Sequence, residues 1–99
     1  MQVIEKHISE LKKLCKKHYV GELYVFGSAV TDKFSTNSDI DLLVRFAGVE
    51  LLEYFDNYMD FKESIEKLYK RKIDLLEIQT IKNPILKYSI DRSKQRIYG

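Results

Sequence analysis

Residues 39–46, Asp39-Ile40-Asp41-Leu42-Leu43-Val44-Arg45-Phe46, constrain the fold more than any other stretch of the 99-residue chain. Successive side chains of a β-strand leave opposite faces. Asp39, Asp41 and Leu43 therefore share one face, and Ile40, Leu42 and Val44 share the other. The second face is wholly apolar and has to be buried. The first sets two carboxylates side by side, which repel each other and do nothing for a strand of Ile, Leu and Val. A chain with this segment folds around a sheet and carries acids on a sheet face for some other purpose.

The rest of the chain supplies what such a sheet needs. Val3, Ile4, His7, Ile8, Leu11, Leu14, Cys15 and His18 recur at helical spacing, which predicts one amphipathic helix over residues 2–18, ended near Gly21. Leu23-Tyr24-Val25-Phe26 reads as a short buried strand. Gly27-Ser28 breaks it, and residues 29–34 allow a short helix before the polar turn at 35–38. Leu51, Leu52, Tyr54, Phe55, Tyr58, Met59, Ile65, Leu68 and Tyr69 predict a second long helix over residues 50–69. Residues 72–77 form a third strand, and Asn83-Pro84 cap and open a last helix to about Arg92. Ile97-Tyr98 adds an edge segment. No linker or repeat interrupts this order. The expected fold is a mixed α/β (α+β) domain spanning residues 1–99, with helices packed on a small mixed sheet of three to four strands.

The acids then acquire a chemical meaning. A hard divalent cation removes the repulsion between Asp39 and Asp41, and Mg²⁺ is commonly held by one or two carboxylates plus phosphate oxygens. Asp74 stands in a similar apolar strand. If that strand lies beside the first, Asp74 joins the site, and three carboxylates can hold two metal ions for in-line phosphoryl transfer. Gly27 lets the backbone approach a ligand closely. A helix beginning at Ser28 or Ala29 would present free N–H groups to an anion, and the Ser28 hydroxyl adds a donor. A Gly-Ser turn or an Asp-x-Asp alone is weak. Their conjunction at a ten-residue spacing, with a later strand acid, is specific.

The segment Phe26-Gly27-Ser28, ten residues, then Asp39-Ile40-Asp41-Leu42-Leu43-Val44, followed by Lys72-Ile73-Asp74-Leu75-Leu76-Glu77, resembles the minimal nucleotidyltransferases of the DNA polymerase β superfamily. The likeness runs from about Leu23 to Tyr98. It implies the nucleotidyltransferase fold and transfer of a nucleotide from ATP or another nucleoside triphosphate with Mg²⁺. Asp39 and Asp41 match the family's two metal-binding acids. Asp74 matches the third, which helps position metal and activates the acceptor hydroxyl, and Gly27 and Ser28 match the phosphate-binding pair. The resemblance also implies a partner, a helical HEPN ribonuclease toxin, with this chain as an antitoxin that adenylylates a toxin hydroxyl. One departure stands out. The family commonly has Arg soon after Gly-Ser, where this chain has Ala29-Val30-Thr31-Asp32, with Lys33 as a candidate substitute. That departure leaves a binding-only antitoxin as an alternative, and transfer to a small molecule is a weaker one.

Composition narrows the setting. Seventeen Lys and Arg against fifteen Asp and Glu leave a net charge of +2, too little to imply nucleic-acid binding by itself. Lys12-Lys13, Lys16-Lys17 and Lys70-Arg71-Lys72 read as solvated faces. No apolar run reaches the roughly 18 residues of a membrane span. The charged start, MQVIEKHISE, and the single cysteine fit a cytoplasmic protein. His7 and His18 are too far apart along one helix to share a metal, and Cys15 sits among apolar positions as a buried thiol. The second long helix is unusually aromatic: its first reading is a thick core with half-exposed tyrosines, and the alternative is a partner or homo-oligomer contact on the Tyr54–Tyr58 side.

Overall fold

The computed structural model describes residues 2–31 and 38–99. Four strands, β1 (Val20–Phe26), β2 (Ile40–Phe46), β3 (Ile73–Glu77) and β4 (Gln95–Tyr98), form one sheet in the order β3-β2-β1-β4. β1 runs antiparallel to both β2 and β4, whereas β2 and β3 are parallel. The parallel pair needs a crossover, and the long helix α3 (Tyr54–Tyr69) provides it. The mixed α/β architecture expected from the sequence is thus present, with the edge segment extended into a full strand, β4.

The alternation in β2 sorts the molecule into two faces. Ile40, Leu42 and Val44 are fully buried in the main core with Leu23, Val25, Phe61, Ile65 and Ile73. The helices α2 (Ile8–Lys17) and α3 cover this face, with Leu11 and Cys15 of α2 packed inward. Burial pushes the Cys15 thiol up to about 12, so it stays protonated and inert. On the opposite face a smaller cluster of Tyr24, Phe26, Leu43 and Ile90 forms beneath the helix α4 (Pro84–Ser93). Asn83 caps α4 as its residue type predicts: its side-chain oxygen accepts from the N–H groups of Ile85 at 2.9 Å and Leu86 at 3.3 Å. No helix among the described residues is long and apolar enough to cross a membrane.

Two expectations need correction. The first helix is two: α1 (Gln2–Glu5) and α2, separated at Lys6-His7. At the break the Ile4 carbonyl accepts both the His7 N–H at 3.3 Å and the Tyr69 hydroxyl at 2.8 Å, the latter a contact across 65 residues that local periodicity cannot see. The segment after Phe26 is a four-residue 3₁₀ turn, Gly27–Val30, in place of a helix over residues 29–34; residues 32–34 lie outside the described ones. Tyr54 and Tyr58 are half-buried and packed against the core, as the thick-core reading of that helix has it. Their rings meet Phe46 edge-on, and their hydroxyls donate to Glu77 Oε1 at 2.7 Å and the Leu75 carbonyl at 2.6 Å. The apolar side chains exposed at that end are Leu51 (86%), Leu52 (96%) and Phe55 (71%).

His18 is the main polar tie between α2 and α3. Its Nδ1 lies 2.8 Å from the Leu14 carbonyl and its Nε2 2.7 Å from Asp60 Oδ2, while Asn57 donates to its backbone carbonyl at 2.8 Å. This histidine is 3% exposed and structural, as its helical position suggests.

Candidate active site

The site is assembled where β1 ends and β2 and β3 begin. Phe26, the last residue of β1, pairs with Asp41 of β2. Asp41 pairs in turn with Asp74 of the parallel strand β3. Register partners in a sheet share a face, so both carboxylates leave the side that α2 and α3 do not cover. Asp39 precedes β2 by one residue and shares that face by the two-residue period. The adjacency of Asp41 and Asp74, conditional in the sequence, follows from the parallel pairing of β2 and β3.

Gly27 closes the site from the β1 side. Its φ of +71° is a conformation that L side chains rarely adopt, and a Cβ built there would overlap the Asp41 carboxylate. Glycine is required twice over, by dihedral and by space. The turn that follows is braced by Thr31, whose N–H and Oγ1 both donate to the Ser28 carbonyl at 3.1 Å and 3.0 Å. Ala29 is buried and anchors the turn to the core. A single 3₁₀ turn carries little macrodipole; the donors this corner can offer are its backbone N–H groups and the Ser28 hydroxyl.

Electrostatics mark the corner as poised. Burial raises the Asp41 pKa above its ordinary value, and the Asp74 and then the Asp39 charges raise it further. No ion pair joins Asp39, Asp41 or Asp74 to a cation among the described residues. Nor do three His, Cys, Asp or Glu side chains among those residues gather into a closed cation cage. The carboxylates are neighbours that repel: Asp41 is half-buried, Asp39 and Asp74 are exposed. The donor chemistry nonetheless fits a hard divalent cation, since all three groups offer carboxylate oxygens and the half-buried one is destabilised by burial and by the neighbouring Asp74 and Asp39 charges. Lys33, the candidate substitute for the family's Arg, lies outside the described residues.

Sequence reasoning missed the support behind these acids. α3 ends at Lys70 in the left-handed conformation, φ 55°, and the chain turns sharply there. That turn aims the Arg71 guanidinium at the Ser38 carbonyl, 3.0 Å away, one residue before Asp39. The next residue, Lys72, accepts from the Ile40 N–H at 3.1 Å, and the Ile73 N–H donates to Glu66 at 3.2 Å. Arg71 reads in sequence as part of a basic run; nothing local distinguishes it from its lysine neighbours.

Comparison with known proteins identifies the chain's family. Residues 9–99 match the family described as Polymerase beta, Nucleotidyltransferase, and the chain belongs to it. A Methanocaldococcus jannaschii relative, named as a candidate protein adenylyltransferase, is 32% identical over 87% of this chain and 93% of its own. The protein adenylyltransferase MntA of Thermococcus cleftensis is 31% identical over 88% of this chain and 86% of its own. Among solved structures, a candidate minimal nucleotidyltransferase superposes with a TM-score of 0.77 at 23% identity, covering 95% of this chain and 92% of that one. A tri-AMPylated Shewanella oneidensis HEPN toxin in complex with MNT antitoxin gives a TM-score of 0.67 at 17% identity, covering 100% of this chain and 73% of the matched one. At those identities the structures speak for the fold alone: it is the minimal nucleotidyltransferase fold.

Proposed function

We propose that the chain transfers AMP from ATP to a hydroxyl of a partner protein, and that the partner is a HEPN-type toxin which the transfer neutralises. The observation that carries this reading is the Phe26–Asp41–Asp74 register with Gly27 packed against the Asp41 carboxylate. Membership of the nucleotidyltransferase family supports the reaction class, and the adenylyltransferase names of the relatives support a protein acceptor. The HEPN–MNT complex among the structural neighbours supports the partner.

In this reading the Gly27-Ser28 backbone and the Ser28 hydroxyl bind phosphate oxygens of the triphosphate. Asp39 and Asp41 would hold Mg²⁺, with Asp74 available to a second ion. When bound, Mg²⁺ neutralises phosphate charge and polarises the phosphorus under attack. Asp74, exposed at the rim, accepts the proton of the incoming hydroxyl. The acceptor oxygen bonds to the α-phosphorus, the bond from that phosphorus to the bridging oxygen breaks, and pyrophosphate leaves. Arg71 keeps the start of β2 in place through Ser38 while charge shifts.

The test is incubation of this chain with its HEPN partner, ATP and Mg²⁺, followed by intact-mass measurement of the partner. A gain of one or more AMP units, absent with Asp41→Asn, supports transfer. The stretch Ala29-Val30-Thr31, which lacks the family's usual Arg, favours a second reading in which the chain neutralises by binding alone. A stable complex without mass gain would support that one. No complex and no modification would overturn both.

A further inference from the structure

The sheet face that carries the acids also carries a cavity, and the two are in line. Leu43 floors a pocket of about 170 Å³ whose walls are Ile78, Ile81 and Ile90, with Lys87 and Lys94 at the rim. Leu43 lies two residues beyond Asp41 on the same face of β2, one strand repeat of about 7 Å. On β3 the register repeats the step, because Asp74 pairs with Asp41 and Leu76 with Leu43. Gly27 lies on the other side of Asp41, since Phe26 already pairs with Asp41 and β1 runs antiparallel to β2. Phosphate corner, acids and apolar cavity thus succeed one another along one direction of the sheet.

We propose that this cavity seats the purine ring of the nucleotide, with the ribose over the step from Asp41 to Leu43 and the phosphates at Gly27-Ser28. The inference rests on the nucleotidyl-transfer reading and adds to it a residue set for base recognition. Size supports the assignment. Sites that enclose a whole small ligand run to roughly 300–1,000 Å³, so 170 Å³ suits one planar ring and not an entire nucleotide. Chemistry supports it too: an apolar lining buries the two faces of a heteroaromatic ring, and a charged rim meets its polar edge. The cavity is also well supported. Leu43 and Ile90 are each 3% exposed. Lys94 is held at the rim by Asp91 at 2.8 Å and lies over the Tyr24 ring, 4.8 Å from its centroid. Binding the base therefore requires little reordering of the protein, which favours affinity.

Inorganic tripolyphosphate, a phosphate chain without base or sugar, separates this inference from the reading beneath it. Calorimetric titrations with ATP and with tripolyphosphate, each with Mg²⁺, are compared for wild type, Ile81→Glu, Ile81→Ala and Ile85→Glu. Ile81 is a half-buried wall residue ahead of α4; Ile85, 79% exposed, lies on α4 outside the cavity. The expected result is that wild type binds ATP at least about 10-fold more tightly than tripolyphosphate, the scale of burying on the order of 60 Å² of apolar surface. Ile81→Glu abolishes that preference and leaves tripolyphosphate binding unchanged, which also shows that the variant is folded. Ile81→Ala reduces the preference in part, and Ile85→Glu leaves it intact. ATP binding no tighter than tripolyphosphate, or a preference that survives Ile81→Glu, would overturn the base cavity while leaving the transfer reading standing. A fall in both affinities with Ile81→Ala would overturn it as well. Failure of wild type to bind either ligand would overturn both.

Discussion

The sheet face that α2 and α3 do not cover treats its carboxylates in opposite ways at its two ends. Glu22, near the start of β1, is surrounded by donors: Arg45 Nε at 2.6 Å, the Tyr24 hydroxyl at 2.8 Å and Arg96 Nη2 at 3.7 Å. These partners, the Arg45 hydrogen bond first, hold its carboxyl below the ordinary value. Four residues along the same strand, opposite Phe26, Asp41 has no cationic partner among the described residues and faces Asp74 and Asp39; burial and those charges hold its carboxyl above the ordinary value. Between the two ends lies the small apolar cluster under α4. A surface that only needed to be folded would look like the Glu22 end. Among the described residues nothing neutralises the Asp41 end, which is what a site completed by a cation and a phosphate ligand requires.

The largest expected effect comes from removing charge at the unneutralised end. Asp41→Asn should abolish measurable transfer to the partner. Asp74→Asn should keep much of the nucleotide affinity and lower transfer by roughly 10²–10⁴-fold, the scale of a lost general base. Intact-mass time courses and calorimetry read the two quantities separately. Unchanged transfer in Asp74→Asn would remove that residue from the mechanism. Glu22→Gln, at the neutralised end, should leave transfer within about twofold of wild type.

Next comes the cradle. Gly27→Ala forces an L side chain to φ +71° and drives a methyl group into the Asp41 carboxylate. The dihedral alone costs about 1–2 kcal/mol, or a fall in melting temperature of roughly 5–10 °C in a domain this small. Nucleotide affinity should fall as well. Asp41→Asn in the same background leaves the steric overlap and should not restore binding. A Gly27→Ala protein with wild-type stability would mean that the corner is looser than the geometry implies.

Mg²⁺ should act on one end alone. With nucleotide present it should raise the melting temperature of wild type by about 2–4 °C and leave Asp41→Asn unmoved, because a ligand stabilises only the state that binds it. Equal nucleotide affinity with and without Mg²⁺ would count heavily against the carboxylate site.

How far the sequence discloses this comparison depends on what each element's signal rests on. The period-two pattern of residues 39–46 identifies β2, its buried face and its acids, because side-chain alternation is local. Asn83-Pro84 announces α4 for the same reason: the cap is made within three residues. Gly27 is legible as a close approach, although its partner, Asp41, is not. The rest is tertiary. The gap between α1 and α2 answers to Tyr69, the struts Tyr54 and Tyr58 answer to β3, and Arg71 answers to Ser38. In each case a residue type with several possible partners is settled by one that lies at least 17 positions away. Read alone, Tyr54 and Tyr58 allow a core or a contact reading; in the fold both are half-buried, and Leu51, Leu52 and Phe55 are far more exposed. Asp74 falls between these cases. Its residue type and strand are local facts, and its place beside Asp41 comes from the β3-β2 pairing.

The smallest and most discriminating effect is the response of the two ends to pH in the metal-free protein. Glu22 has a folded pKa lowered from 4.5, so its pairing stabilises the fold fully above 4.5 and is lost as pH falls through the folded value. Asp41 has a folded pKa raised from 3.8, so its ionisation costs nothing below 3.8 and becomes a penalty as pH rises through the folded value. Neutral amides remove each contribution. Against wild type, Glu22→Gln should therefore lose stability and Asp41→Asn gain it, both differences vanishing in strong acid and growing with opposite sign toward neutrality. An exposed ion pair contributes about 0.5 kcal/mol, so shifts of a few degrees are expected. Thermal melts across this range at low ionic strength with a chelator present give the curves. Added salt should shrink the Glu22→Gln difference by screening its exposed partners. Two differences of the same sign would mean that Asp41 is already neutralised in the folded chain, and the contrast between the two ends of the face would fail.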